Sequence, residues 1–563
     1  MRTSKLPQKI FIGLAWPYVN SDLHIGHLAG YLLPADIFAR FHRLINDDVL
    51  MVSGSDCFGT PITIEAEKQK VSPRQIAQEY HQKFIELFKL ADIEFDLYTK
   101  TNTNNHQKVV QKIFLKLLKK NFIFKDKTRQ YYSQAEKRFL PDRYVEGICP
   151  DCGFGQARSD QCDNCNSLLK EGELIKPKSK ISQKPVELKL TEHYFFDWPK
   201  LQKFLEKYIK SKKGWRQWVY QETLDWLKKG LKPRAITRDL DWGIEIPKNK
   251  IAKELQIENI ENKRIYVWFE AIIGYLSGSI EWAKKTNKSW RDFWYNAKAR
   301  HFYFMGKDNL IFHTLFWPGQ LYAYDSKIHL PDFPAINQFL TLNNQKFSKS
   351  RGISISSAYL VKTYGSDAVR FYLCSIMPEN ADANFTWQDF ADKNNNLLIG
   401  NLGNFINRSL TLAKNLNFKD NFNFDLSIEK QIAKILTQAK TALQNCEFRK
   451  YLETILELSD FGNKYIAEKQ PWALKNKSQV ISNCSFIVLA LLLLIKPLMP
   501  NASKNLSAIL GIKIDLWPQN EIKILKQLVH KIKIGKIKPL FKKIDAKEIK
   551  KEEGKLKSAI TFS

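Results

Sequence analysis

Four cysteines stand close together as Cys149-Pro150-Asp151-Cys152 and Cys162-Asp163-Asn164-Cys165, with nine residues between the pairs. Each pair offers two sulfurs to one tetrahedral ion at about 2.3 Å, and two pairs complete its coordination. Four thiolates leave no open position for water or substrate, so the spacing predicts a structural zinc ion, one per chain. A second pattern is Leu23-His24-Ile25-Gly26-His27, preceded by the turn-rich Pro17-Tyr18-Val19-Asn20-Ser21-Asp22. Two imidazoles three apart share one face of a helix's first turn. There the unpaired N–H groups and the positive end of the dipole favour an anion, and Gly26 lets it approach the backbone. The third pattern is Lys346-Phe347-Ser348-Lys349-Ser350-Arg351-Gly352, whose two ammonium groups suit a polyphosphate leaving group. Alone, a surface histidine pair or a solvated basic loop is the commoner reading; the chemistry lies in the combination.

These groups need elements to hold them. The chain has 563 residues, enough for about three or four domains. Apolar residues at 44% and charged residues at 26% exclude wholesale disorder and fibrous architecture. Lys+Arg 88 against Asp+Glu 58 leaves +30, which points to a polyanionic partner or to a compositional bias spread over solvated faces. The other cysteines (Cys57, Cys374, Cys446 and Cys484) are scattered, a pattern of reduced thiols in a cytoplasmic protein. Lys9 to Ala15 and Val49 to Val52 read as strands and Leu23 to about Leu44 as a helix. Pro73 to Leu90 is an amphipathic helix with Ile76, Tyr80, Phe84 and Leu87 on one face. From residue 122 short aromatic strands, the cysteines and Lys-rich helices interrupt this text. Strand-like segments return at Arg264 to Phe269 and Arg300 to Met305. After Thr386 helices take over, at Asn394 to Lys414 and Ile428 to Phe448. The apolar run Phe486 to Ile495 is about half the length of a membrane span and reads as a buried helix. The divisions are 1–121 and 233–345 for the two halves of a parallel-sheet α/β domain and 122–232 for an insertion. The lysine loop and its sequel fill 346–392, an all-α bundle 393–522, and a basic end 523–563, read as a poorly packed tail or a last helix.

Taken together, His-Ile-Gly-His and Lys-Phe-Ser-Lys-Ser three hundred residues apart in a split α/β domain resemble the class I aminoacyl-tRNA synthetases. The finer text is similar to their methionine-specific branch. It includes Pro17-Tyr18-Val19-Asn20, Gly54-Ser55-Asp56, Gly59-Thr60-Pro61, Val267-Trp268-Phe269-Glu270-Ala271 with Gly274-Tyr275, Gly306-Lys307-Asp308-Asn309, His313 with Phe316-Trp317-Pro318, and Gln470-Pro471-Trp472. The resemblance implies a Rossmann-like catalytic domain, a zinc-binding insertion and a helical anticodon-binding domain. It implies ATP, carried with Mg²⁺, and L-methionine as substrates, and initiator and elongator tRNA(Met) as acceptors, with no membrane partner. By the same resemblance His24, Gly26, His27, Lys346 and Lys349 bind ATP, and Arg238 and Asp308 help assemble the adenylate site. Ala15, Tyr18, Trp268, Ala271, Tyr275 and His313 form the side-chain pocket, and Asp56 holds the α-ammonium. A thioether is a weak acceptor, so such a pocket reads methionine by shape and ring contact. Trp472, Asn401 and Arg408 fall to anticodon reading. An insertion of about 110 residues is short beside the editing inserts of the leucyl, isoleucyl and valyl relatives, which favours the methionine branch. The alternatives are another class I synthetase of that subgroup and a non-catalytic RNA-binding paralogue. Ser21, Phe58, Ile272, Phe347 and Trp16 depart from the usual text, Trp16 being large beside the pocket. No further tRNA-binding domain follows the bundle, so a monomer is expected.

Overall fold

The computed structural model describes residues 7–141, 144–159, 162, 164–165, 167, 169, 172–347, 353–420 and 422–561, with side chains through 555. Among them, β1 (Lys9–Leu14), β2 (Asp48–Ser55), β3 (Leu97–Lys100), β4 (Arg300–Gly306) and β5 (Phe333–Asn337) form one sheet in the order β5-β4-β1-β2-β3. Every pairing is parallel: Ile10 sits beside Val49 on one side and Arg300 on the other. Helices cover both faces of such a sheet, so its inner strands read as unbroken apolar runs. Ile10, Phe11, Ile12 and Leu14 of β1, and Phe302 to Met305 of β4, are all buried, whereas edge strand β3 alternates. Two helices follow β2, Thr60–Gln69 and Pro73–Leu90, the second started by a reciprocal cap between Ser72 and Gln75.

The chain order runs β1, β2, β3 to one side and β4, β5 to the other. Strand order therefore reverses between β1 and β4, and the loops at their carboxyl ends splay apart into a crevice there. Between β3 and β4 the chain makes a long antiparallel pair, Ile123–Ser133 with Glu187–Phe196, in register from Ile123↔Phe196 to Tyr132↔Glu187. The cysteine knuckles hang from its far end around a small core of Tyr131, Leu140, Tyr144 and Val145. The segment expected as a strand over Arg264 to Phe269 is one only at Lys263–Ile265; Val267–Glu270 turns helical.

The helical part includes Leu426–Gln444, Phe448–Lys469 and Ser478–Ile495. The last of these is long and apolar enough to cross a membrane, yet 89% of its apolar window is buried inside the protein, as the axis of the bundle. The basic end is not a loose tail. It forms helices Glu521–Val529 and Ala546–Thr561, burying Leu525, Val529, Ile544 and Ile549, and Tyr359 donates to Glu552 at 2.7 Å.

Candidate active site

The crevice holds a cavity of roughly 400 Å³. His24, Gly26 and His27 reach it from the turn after β1, Asp56 from the end of β2, Asp308 from the end of β4, and Lys346 and Phe347 from the lysine loop. Lys349 lies outside the described residues. Two backbone bonds stitch the distant stretches together: Ile25 N–H to Ile355 O (3.2 Å) and Ser357 N–H to Leu23 O (3.0 Å). Phe347 stacks on the His24 ring at 4.5 Å and 14°, which seats the start of the loop over the histidine turn.

The two histidines cap their own helix. His24 Nδ1 accepts the Gly26 N–H at 3.1 Å and His27 Nδ1 accepts the His24 N–H at 3.2 Å. A ring nitrogen that accepts carries no proton, so each ring has its proton on Nε2, and Nε2–H is the donor it can offer to a phosphate oxygen. The helix then passes through a π turn, Leu28–Leu32, which brings Tyr31 to the cavity wall.

At the other end the cavity is lined by rings. Ala15, Tyr18, Trp268, Ala271, Tyr275 and His313 all face it. His313 Nδ1–H donates to the Asn309 carbonyl at 3.0 Å, so its Nε2 accepts from the Tyr275 hydroxyl at 2.8 Å. Burial lowers the His313 pKa to about 4 and raises that of Tyr275 well above its ordinary value, so both stay neutral. This end offers ring faces and no net charge. Asp56 is the buried carboxylate beside it. Burial first, and then the neighbouring Glu270, push its carboxyl well above the usual range, against the pull of the Phe58 N–H at 3.3 Å. Asp308, on the 3₁₀ turn after β4, is likewise raised by burial. Trp16 fits because Gly54 and Gly274 leave it room: a Cβ at either would stand 2.3 or 2.6 Å from its ring.

Two expected residues sit elsewhere. Arg238 lies on a neighbouring cavity, over the Tyr266 ring at 4.2 Å, and donates to the carbonyls of Ala235 and Thr237. Asn401 commits its amide inside the bundle: Oδ1 accepts from Ser459 and Asn463, and Nδ2 donates to the Leu456 carbonyl. Arg408 does meet Trp472, at 5.7 Å from a ring that is 59% exposed. The exposed amide that shares Arg408's face is Asn404, one turn earlier, and the i, i+4 spacing could have pointed to it. The sequence reading also passed over Glu270 and His106. Glu270 Oε2 is 2.6 Å from His106 Nε2, and His106 Nδ1 is 2.7 Å from Ser277 Oγ. This buried chain pins the helical turn carrying Trp268 and Ala271.

The four cysteine sulfurs lie within 4.8 Å of one another, with Cys149–Cys165 at 3.8 Å and Cys152–Cys162 at 3.6 Å. Four ligands about 2.3 Å from a tetrahedral centre stand about 3.8 Å apart, so the cluster fits a zinc ion.

A parallel sheet split by an insertion, with a histidine turn and a lysine loop meeting over its switch point, defines a class I aminoacyl-tRNA synthetase. The family described as tRNA synthetases class I (M) matches residues 10–410, and the anticodon binding domain of methionyl tRNA ligase matches residues 422–559. The chain belongs to the methionine–tRNA ligases. The methionine–tRNA ligase of Dehalococcoides mccartyi strain CBDB1 is 40% identical over 98% of this chain and 100% of its own length. That of Thermomicrobium roseum is 41% identical over 91% and 88%. The solved Mycobacterium tuberculosis methionyl-tRNA synthetase in complex with methionyl-adenylate shares the fold, with TM-score 0.75 at 22% identity, covering 95% of this chain and 99% of that one.

Proposed function

We infer that this chain joins L-methionine to tRNA(Met) through methionyl-adenylate. The observation that carries the reading is the convergence of the histidine turn and the lysine loop on one cavity beside a neutral, ring-lined end. A methionine carboxylate oxygen attacks the α-phosphorus of ATP, the α–β anhydride bond breaks, and pyrophosphate leaves with its Mg²⁺. Such a step is driven by positioning and by donors aimed at developing charge. Nε2–H of His24 and His27 and the ammonium groups of Lys346 and Lys349 are those donors. Tyr275, His313, Trp268 and Ala271 enclose the thioether, and Asp56 takes the α-ammonium. Cys149, Cys152, Cys162 and Cys165 hold zinc as a staple of the insertion. Trp472 with Arg408, and Asn404 beside it, read anticodon bases by stacking and edge contacts on both initiator and elongator tRNA. The buried, unpaired thiols of Cys57, Cys374, Cys446 and Cys484 suit a reducing cytoplasm, and the chain acts as a monomer.

The test is methionine-dependent ATP–pyrophosphate exchange screened across amino acids. Exchange with methionine far above leucine, valine and cysteine is expected; exchange driven by one of those instead would overturn the reading. A second expectation comes from Asp56. Burial raises its carboxyl, and an ammonium beside it favours the ionised form, so methionine binding should release a proton below the raised pKa. Affinity then climbs with pH and levels off once Asp56 is ionised beforehand. Calorimetry in buffers of different ionisation enthalpy reads the proton directly, and Asp56→Asn should abolish the release. A proton count of zero throughout would remove Asp56 from the ammonium site.

A further inference from the structure

Two carboxyls stand together at the amine end of the methionine pocket, Asp56 and Glu270. Asp56 lines the cavity and accepts the Phe58 N–H at 3.3 Å. Glu270 is fully buried, and near enough that a charge on it disfavours a charge on Asp56. Its Oε2 is 2.6 Å from His106 Nε2, and among the described residues its Oε1 has no hydrogen-bond partner. Two like charges so near in a dry site do not coexist, so one carboxyl keeps a proton. Glu270 is the drier of the two, and burial raises its acid well above the ordinary range.

The hydrogen bonds fix where that proton points. Ser277 Oγ donates to the Gly274 carbonyl at 3.3 Å, so it accepts from His106 Nδ1–H at 2.7 Å. Burial lowers the His106 pKa to about 3, against the pull of Glu281, which is itself held by Thr99 Oγ1 at 2.9 Å and Lys285 at 2.7 Å. A neutral imidazole protonated on Nδ1 has its lone pair on Nε2, and that lone pair takes the acid proton of Glu270. Every bond then runs one way, from Glu270 through His106 and Ser277 to the Gly274 carbonyl, and the chain carries no charge. Both of its leading members support cavity wall. Glu270 ends the turn Val267–Glu270, which presents Trp268 and leads into Ala271. His106 faces the Trp16 ring at 6.2 Å and 29°, while Gly54 and Gly274 close on the same indole.

We propose that Glu270 and His106 are positioning residues for methionine: a neutral acid–imidazole pair that holds Trp16, Trp268 and Ala271 in place and leaves Asp56 as the one carboxylate for the α-ammonium. The proposal rests on the methionine–tRNA ligase reading and adds what sets the charge and shape of its amino-acid end. A second carboxylate there would need a second cation, which methionine, with its uncharged side chain, does not bring.

The experiment measures kcat and the KM values for methionine and ATP in exchange, for wild type, Glu270→Gln, Glu270→Ala, His106→Ala and the double alanine variant. Each single alanine change should raise the methionine KM about ten- to a hundredfold, the loss of one buried bond, with the ATP KM unmoved. The double variant should be no worse than either single one, because both remove the same bond. Glu270→Gln should recover most of the affinity, since its amide N–H donates to His106 Nε2 as the acid does. In that variant the rise of methionine affinity with pH should also keep its midpoint, one neutral group having replaced another. Alanine variants that lose kcat through lost active molecules and keep the wild-type methionine KM would overturn the proposal. So would a midpoint that falls in Glu270→Gln, because removing a negative neighbour lowers the Asp56 pKa and Glu270 would then have carried a charge. The pH arm needs only the isosteric variant, so it decides the matter even where an alanine variant fails to fold. Absence of methionine-dependent exchange in the wild-type protein is a separate result that strikes the parent reading instead.

Discussion

Replacing His24 by asparagine is expected to cut methionine-dependent exchange by about 10²–10³-fold, the cost of one aimed donor, while the protein melts as before. The substitution separates two jobs that one imidazole performs. As N-cap, His24 accepts the Gly26 N–H through Nδ1, and an asparagine carbonyl oxygen does this equally well. What asparagine lacks is the Nε2–H donor and the flat ring on which Phe347 stacks. The first loss removes a hydrogen bond that strengthens as charge moves onto the leaving pyrophosphate. The second unseats Lys346 beside it, so the two losses fall on the same transition state. Methionine affinity should hold, since the ring-lined end lies at the far side of the cavity. His24→Ala should lose as much exchange and about 1 kcal/mol of stability besides, because alanine cannot cap. Exchange within threefold of wild type in His24→Asn would take the imidazole out of the chemistry and leave it a cap.

Much of this site was legible before any fold. Unbroken apolar runs marked the inner strands, and Ile76, Tyr80, Phe84 and Leu87 on one face marked the helix Pro73–Leu90. The cysteine pairs carry their geometry in their spacing, and the sulfurs indeed gather within 4.8 Å. What escaped depends on long-range contact. Arg264 to Phe269 has β-forming residues throughout, yet it turns helical at Val267, where Glu270 reaches His106 across 164 positions. No periodicity announces that pairing. The π turns at Leu28–Leu32 and Phe312–Phe316 each take an extra residue and so rotate the helix around them, delivering Tyr31 and His313 to the cavity. Helical spacing alone puts those side chains on the wrong bearing. Asn401 and Asn404 look alike in an asparagine-rich stretch, and only packing against Phe448–Lys469 tells the committed amide from the exposed one. The basic end reads as a tail or a last helix because its lysines outnumber its isoleucines, and Ile544 and Ile549 decide it by finding the body of the protein and burying.

Arg370→Leu should destabilise the protein by about 3–5 kcal/mol, since each buried carbonyl that loses its donor costs about 1–3 kcal/mol. The guanidinium is 1% exposed and uses all three of its nitrogens. Nη2 meets Asp36 at 2.6 Å and the Pro497 carbonyl at 3.1 Å, and Nε meets the Leu498 carbonyl at 2.6 Å. Nη1 takes the carbonyls of Ala91 and Asp92 at 3.1 and 3.2 Å. Those carbonyls lie just past the ends of two helices, Ser478–Ile495 and Pro73–Leu90, where backbone acceptors run out of partners and the dipole favours a cation. One side chain thus closes two helices and ties the sheet domain to the axis of the bundle. Leucine fills part of the volume but takes the guanidinium from the carbonyls of Ala91, Pro497 and Leu498, while Asp92 O keeps Arg40 Nη2 at 2.7 Å, so apolar replacement does not compensate here as it does for an isolated pair. Lysine keeps the charge but cannot span both helix ends, and Arg370→Lys should recover less than half of the loss. Asp36 keeps Arg40 Nε at 2.8 Å and the Glu94 N–H at 3.1 Å, so it is not stranded when Arg370 goes. Urea unfolding followed by tryptophan fluorescence gives the midpoint, and hydrogen exchange around residues 91 and 497 locates the opening. Arg370 lines no part of the cavity, so exchange activity per folded molecule should survive at 25 °C. A midpoint unmoved by Arg370→Leu would mean that the two helix ends find water or other donors as readily as this guanidinium.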